Sequence, residues 1–120
     1  MNAAEDRQVC VHHFLETSAR RFPDKTAVIH DDRRVSYDAI NRRANRLARW
    51  LRHTGIQTGD RVALLFENSI DYIACYYGIL KTGAVAVPLN TDTRPEQLTA
   101  LLRIVDCNTL LASGRFERLL

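Results

Sequence analysis

The sequence predicts an α/β fold, in which layered βαβ units build a mainly parallel sheet behind an N-terminal β-hairpin. Three observations carry this prediction. From Tyr37 to Ala112 the segments alternate helix, strand, helix, strand, helix, strand, with short connections, the order expected of a parallel sheet with right-handed crossovers. Val62-Ala63-Leu64-Leu65-Phe66 is an unbroken apolar run, which suits a strand covered on both faces. Tyr37, Ile40, Ala44, Leu47, Ala48 and Leu51 form one apolar stripe at helical spacing, which suits a helix lying on such a sheet.

The elements follow in order. Residues 1–10 are polar, include Glu5 and Asp6, and read as a flexible arm. Val11 to Arg21 reads as a short helix, with Val11, Phe14, Leu15 and Ser18 as its apolar side and Phe22-Pro23-Asp24 as its stop. Thr26 to His30 and Arg33 to Ser36 read as two short strands joined by an Asp31-Asp32 turn. Ser36 is a natural N-cap for the helix from Tyr37 to His53. Asp38 sits in its first turn, where the helix dipole favours an acid, and Gly55 stops it.

Gln57-Thr58-Gly59-Asp60 is a turn into a strand from Arg61 to Phe66. Ser69 caps a helix running to about Thr82, Gly83 ends it, and Ala84 to Leu89 is a strand. Pro95 fits the first turn of a helix reaching about Asp106, with Leu98, Leu101, Leu102 and Val105 as its apolar face. Thr109 to Ala112 is a last strand, and Ser113-Gly114 opens another turn.

Composition narrows the class. Of 120 residues, 46% are hydrophobic and 26% charged, which excludes a disordered or collagenous chain. A chain of this length buries roughly 65% of its unfolded surface, enough for one core. The most apolar stretch, Tyr72 to Leu89, is interrupted by Lys81, two glycines and Pro88, so no membrane span is expected. Cys10, Cys75 and Cys107 are scattered and odd in number, which fits free thiols and a cytoplasmic location.

The residues show no self-contained catalytic centre. Gly55, Gly59, Gly78, Gly83 and Gly114 do not form a phosphate-binding loop and read as helix stops and turns. Ser36, Ser69 and Ser113 sit at expected caps and turns, with no nucleophile elbow around them. Cys10, His12 and His13 are close enough to contribute to a metal site. No second ligand pair lies at a zinc-like spacing, so no metal is expected there.

Eight Arg between Arg33 and Arg61 face only Asp38 and Asp60, and the net charge is +3. Apart from Trp50, no aromatic residues interleave with these Arg. A solvated helix face is expected rather than a nucleic-acid surface. Tyr72, Tyr76 and Tyr77 read as packing residues.

Several segments, in order, resemble those of the AMP-forming adenylate synthetases. This superfamily comprises acyl-CoA ligases, adenylation domains of nonribosomal peptide synthetases, and luciferases. The segments are Phe22-Pro23-Asp24-Lys25-Thr26-Ala27-Val28, Val35-Ser36-Tyr37-Asp38-Ala39-Ile40, Asn41-Arg42-Arg43-Ala44-Asn45-Arg46-Leu47-Ala48, Gly59-Asp60-Arg61-Val62-Ala63-Leu64, and Leu80-Lys81-Thr82-Gly83-Ala84-Val85-Ala86-Val87-Pro88-Leu89-Asn90. The resemblance covers about residues 11 to 112 and implies the N-terminal subdomain of an adenylation domain over residues 11–120. Ala86 and Asn90, where peptide synthetases often carry Tyr and Asp, tilt it slightly toward acyl-CoA ligases.

For a complete member, the resemblance implies a two-step reaction. A carboxylate attacks the α-phosphate of ATP, and a thiol of CoA or of a carrier-protein pantetheine then takes the acyl group. ATP, magnesium and that thiol are the implied cofactors. The family's phosphate loop ending in Pro-Lys-Gly, its ribose-binding acid and its catalytic lysine have no counterpart here, and Lys81 belongs to an early motif instead. The chain alone is therefore expected to carry no catalytic residue, to hold no cofactor and not to adenylate. Its expected partners are the remainder of the adenylation enzyme, a complementary chain, or a second copy of itself. The corresponding accounts are a piece of a longer enzyme, one half of a split enzyme, or a free-standing binding protein.

Overall fold

The computed structural model describes residues 9–119, so the expected arm falls almost wholly outside the described residues. The elements are α1 (Val11–Arg21), β1 (Thr26–His30), β2 (Arg33–Ser36), α2 (Tyr37–His53), β3 (Arg61–Leu65), α3 (Ile70–Lys81), β4 (Val85–Pro88), α4 (Pro95–Ile104) and β5 (Thr109–Ala112). A 3-10 turn, Gly114–Leu119, follows β5 where a simple turn was expected.

The strands form two separate sheets. β1 and β2 make an antiparallel hairpin with Ile29 opposite Arg34 and a register irregularity between Thr26 and Val28. The other three are parallel, in the order β4-β3-β5. Val62 lies opposite Ala86 on one side and Thr109 on the other. The crossovers β3-α3-β4 and β4-α4-β5 run in opposite directions along this sheet. With the usual right hand they place α3 and α4 on opposite faces.

The apolar run predicted for the central strand behaves as such a run must. Val62, Ala63, Leu64 and Leu65 are all fully buried. Val62 and Leu64 pack with Leu51 of α2, Ile79 of α3 and Ala84. A second core joins Leu15, Val35, Ile40, Ala44 and Ile70 beneath the hairpin. Helix α2 bridges the two cores, which is why its stripe is both long and continuous.

The caps read from the sequence are in place. The Ser36 hydroxyl accepts from the Ala39 N–H, and the Ser69 hydroxyl from the Tyr72 N–H, each at 3.1 Å. Gly83 has φ +82°, and a Cβ there would lie 2.8 Å from the Thr58 hydroxyl oxygen. Only glycine suits this tight entry into β4.

Two expectations are corrected. Gly78 is neither a helix stop nor a turn residue. It lies inside α3, where a Cβ would come within 3.1 Å of the Ala44 carbonyl oxygen on α2. Its role is close helix approach. In α1 the buried side is Leu15 and Ala19, whereas Val11 and Phe14 are exposed. Helix α1 docks through Leu15, which enters the core beneath the hairpin, and the same side brings Glu16 to Lys81 of α3.

Among the described residues, both outer strands of the parallel sheet have hydrogen-bonded neighbours on one side only. Val85 and Ile104 expose apolar side chains, Ile104 to 78%. Unpaired edges with apolar flanks recruit further chain. The 120-residue chain alone is therefore expected to self-associate, which multi-angle light scattering measures. A monodisperse monomer at micromolar concentration would count against open edges as interaction surfaces.

Candidate functional site at the carboxyl ends of the parallel strands

In open α/β sheets, ligands sit outside the carboxyl ends of the strands, where neighbouring crossovers leave on opposite faces. Here that position lies between the loop Phe66 to Ser69 after β3 and the loop Leu89 to Arg94 after β4, with Ser113 after β5 on the far side. β3 is anchored on both flanks. Leu89 donates its N–H to the Leu64 carbonyl at 2.8 Å, and Ser113 its N–H to the Leu65 carbonyl at 3.1 Å.

Two acids stand at this end, the exposed Asp92 in the loop after β4 and, after β3, Glu67. Its carboxylate accepts the Ser113 hydroxyl at 2.8 Å. Its own backbone N–H, then the Ser113 hydroxyl, hold its pKa below the ordinary carboxylate value, with Arg115 and His30 adding positive charge nearby. A carboxylate so held favours folding at neutral pH, and that contribution fades as pH falls through its folded pKa. Replacing Ser113 with Ala is expected to move the Glu67 pKa upward, toward the ordinary value, in an NMR titration. An unmoved value would mean that the Ser113 bond does not operate in solution.

Beside this end lies a cleft of about 560 Å³, lined by Arg43, Arg46, Phe66, Cys75 and Ser113 among others. Burial, and then the Asp71 charge, push the Cys75 thiol up to about 11, so it is not a thiolate nucleophile at neutral pH. Ser113 faces a carboxylate and, among the described residues, no imidazole hydrogen-bonds to it, so the pair anchors strand ends and is not an activated nucleophile.

Three of the five arginines of α2 are engaged within the chain, while Arg46 and Arg49 line an open surface depression with Arg42 and Asn45. Arg42 pairs with Asp38 at 2.8 Å, Arg43 with Asp71 at 3.4 Å, and Arg52 donates to the Lys81 carbonyl at 2.6 Å. Trp50 is half-exposed on this side. Lys81 is buried and donates to Glu16 at 2.8 Å, a structural ion pair that spacing along the chain does not reveal. The turn at Asp31-Asp32 is a backbone turn, with Asp31 at φ +54°. Tyr72 and Tyr76 pack on the sheet core and Tyr77 on the hairpin core.

The fold brings Cys10, His12 and His13 together at the start of α1, with potential ligand atoms within 4.8 Å of one another. Partial burial first, then His13 beside it and Lys81, hold the His12 pKa below the ordinary imidazole value, with Glu16 opposing. No described helix is long and apolar enough to cross a membrane.

Known proteins share this architecture. The chain is 36% identical over 88 residues to bacitracin synthase 1 of Bacillus licheniformis, a match covering 73% of the chain and 2% of that synthetase. The solved anthranilate CoA ligase AuaEII, in complex with anthranoyl-AMP, superimposes with a TM-score of 0.90 at 27% identity, over 100% of this chain and 23% of that one. The N-terminal domain of FACL13 from Mycobacterium tuberculosis superimposes with a TM-score of 0.85 at 33% identity, over 90% of this chain and 28% of that domain. The chain thus spans well under a third of each of these relatives. The family described as AMP-binding enzyme matches residues 15–119, and with the parallel sheet, the hairpin and the motif order in agreement, the chain belongs to that family of adenylate-forming ligases.

Proposed function

We propose that this chain is the N-terminal subdomain of an ATP-dependent, AMP-forming ligase. Such a ligase activates a carboxylic acid as its acyl-adenylate and passes it to a thiol of CoA or of a carrier-protein pantetheine. Residues 11–120 are the subdomain and residues 1–10 the segment leading into it. The observation that carries this reading is the superposition of the whole chain on a ligase solved with anthranoyl-AMP. Synthetase relatives such as bacitracin synthase 1 favour a second reading, a peptide-synthetase adenylation domain whose thiol acceptor is a carrier protein.

The described residues do not themselves fit ATP and magnesium. Of the two acids at the strand ends, Glu67 is committed to Ser113 and Asp92 lies on an exposed loop, and no glycine-rich loop follows any of the three parallel strands. The role of this chain is therefore to supply sheet and helices against which the phosphate-binding and catalytic parts of the enzyme assemble. Its partner is the remainder of the adenylation domain, on the same or a complementary chain. Its free thiols suit the cytoplasm, and the engagement of Arg42, Arg43 and Arg52 within the chain weighs against a nucleic-acid surface on α2.

The test is carboxylate-dependent ATP–pyrophosphate exchange. The protein that carries this sequence together with its phosphate loop and catalytic lysine is expected to exchange label with a subset of carboxylic or amino acids. The 120-residue chain alone is expected to give none. Transfer to free CoA, or only to a holo-carrier protein, separates the two readings. Exchange by the isolated chain, or none by the complete protein across a broad acid panel, would overturn the proposal.

A further inference from the structure

We propose that Cys10, His12 and His13 form an open, three-ligand binding site for a soft first-row transition metal, with Zn²⁺ as the natural occupant. The site departs from the sequence expectation because the fold supplies what spacing alone did not. Residues 12 and 13 are neighbours on a helix and diverge by about 100°. Their joint use needs a third ligand held between them.

Cys10 provides that ligand. As the N-cap of α1 it adopts extended backbone, φ −97° and ψ 154°. It is clamped onto the first turn from both directions. Its N–H donates to His13 Nδ1 at 3.1 Å, and its carbonyl accepts the His13 N–H at 3.0 Å. The His12 and His13 rings meet edge to face, with centroids 4.5 Å apart.

The metrics suit a soft tetrahedral ion. Zn–S of about 2.3 Å and Zn–N of about 2.0–2.1 Å place neighbouring ligand atoms about 3.3–3.6 Å apart. The ligand atoms here lie within 4.8 Å, so closure by roughly 1 Å is needed. Side-chain rotation can supply this, since Cys10 and His12 are partly exposed and His13 is exposed. One thiolate and two imidazoles match Zn²⁺ and exclude Mg²⁺ and Ca²⁺, which take oxygen ligands.

The charges also decide the character of the site. The positive end of a helix dipole opposes a dication, so the negative charge that a metal-bound sulfur brings is essential. Glu16, one turn further on, is held by Lys81 at 2.8 Å. The fourth position is therefore left to water or an external thiol. An imidazole accepting the Cys10 N–H at Nδ1 carries its neutral-state proton on Nε2. A metal at Nδ1 displaces that hydrogen bond, a metal at Nε2 sends the ring proton to Nδ1 and breaks it too, and in both cases the thiol proton is released. These costs make the site exchangeable rather than structural.

Cobalt is the probe. The reduced, untagged, metal-free chain is titrated with Co²⁺ and then with Zn²⁺. One Co²⁺ per chain is expected, with a sulfur-to-cobalt charge-transfer band in the near ultraviolet and visible bands of tetrahedral intensity, both bleached by Zn²⁺. Cys10→Ser is expected to abolish the charge-transfer band. His12→Ala and His13→Ala should each weaken binding at least about tenfold. Cys75→Ser and Cys107→Ser should leave the spectrum unchanged, and circular dichroism verifies that every variant is folded. The proposal is overturned if no charge-transfer band appears, if the band survives Cys10→Ser, or if one metal bridges two chains.

Discussion

Replacing Gly78 with Val is expected to destabilise the chain by about 3 kcal/mol and lower its Tm by roughly 10–15 °C. The position sits inside α3 where α2 crosses it. A Cβ built there lies 2.8 Å from Leu47 Cδ2, 3.0 Å from Leu47 Cβ and 3.1 Å from the Ala44 carbonyl oxygen. Two effects oppose each other in the milder Gly78→Ala variant. Alanine is favoured over glycine in a helix interior by about 1 kcal/mol. Overpacking costs about 1–3 kcal/mol.

The nearest atom, at the end of the Leu47 side chain, can rotate away. The Leu47 Cβ and the Ala44 carbonyl move only with the α2 backbone. Overpacking therefore wins, and Gly78→Ala is expected to be net destabilising despite its better propensity. Valine adds two γ-carbons and removes any margin. Chemical denaturation of Gly78→Ala, Leu47→Ala and the double variant reads the contact directly. Leu47→Ala should cost less in the Gly78→Ala background than in the parent. A parent-like Tm for Gly78→Val would mean that α2 and α3 are not in close contact at this point.

Gly78 also shows where one-dimensional reading stops. A glycine in an apolar helical pattern has the same local signature whether it ends a helix or lets another helix approach. The deciding atom belongs to Ala44, on a different helix. Helix α1 makes the same point. Leu15 belongs both to the stripe Val11-Phe14-Leu15-Ser18 and to the face Leu15-Ala19, and periodicity cannot choose between two overlapping faces. The tertiary contacts choose the second, with Leu15 in the hairpin core and Glu16 beside Lys81.

By contrast, α2 and β3 were legible almost residue by residue, because their signals are local. Ser36 caps, one stripe spans α2, and an apolar run without alternation has nowhere to go but a covered central strand. The strand-end geometry was not legible, since Glu67 and Ser113 meet across 46 residues. Cys10, His12 and His13 were visible as a cluster. Their convergence was not, because it depends on the extended cap conformation of Cys10.

Glu16→Ala is expected to destabilise the fold by about 2–3 kcal/mol, and more than Lys81→Met, which should stay within about 1 kcal/mol of the parent. The asymmetry follows from which partner can regain water. The Lys81 side chain is 6% exposed and that of Glu16 is 42% exposed. Removing Glu16 leaves a buried ammonium without its partner, whereas removing the ammonium leaves a carboxylate that turns to solvent. Methionine keeps the length and apolar stem of lysine at a site where that stem is already packed. The double variant Glu16→Ala/Lys81→Met should then recover most of the loss caused by Glu16→Ala alone, because the stranded charge is gone. Urea midpoints of the four proteins test this ordering. If Glu16→Ala cost no more than Lys81→Met, Lys81 would be solvated without its partner, and its burial would not be what makes Glu16 necessary.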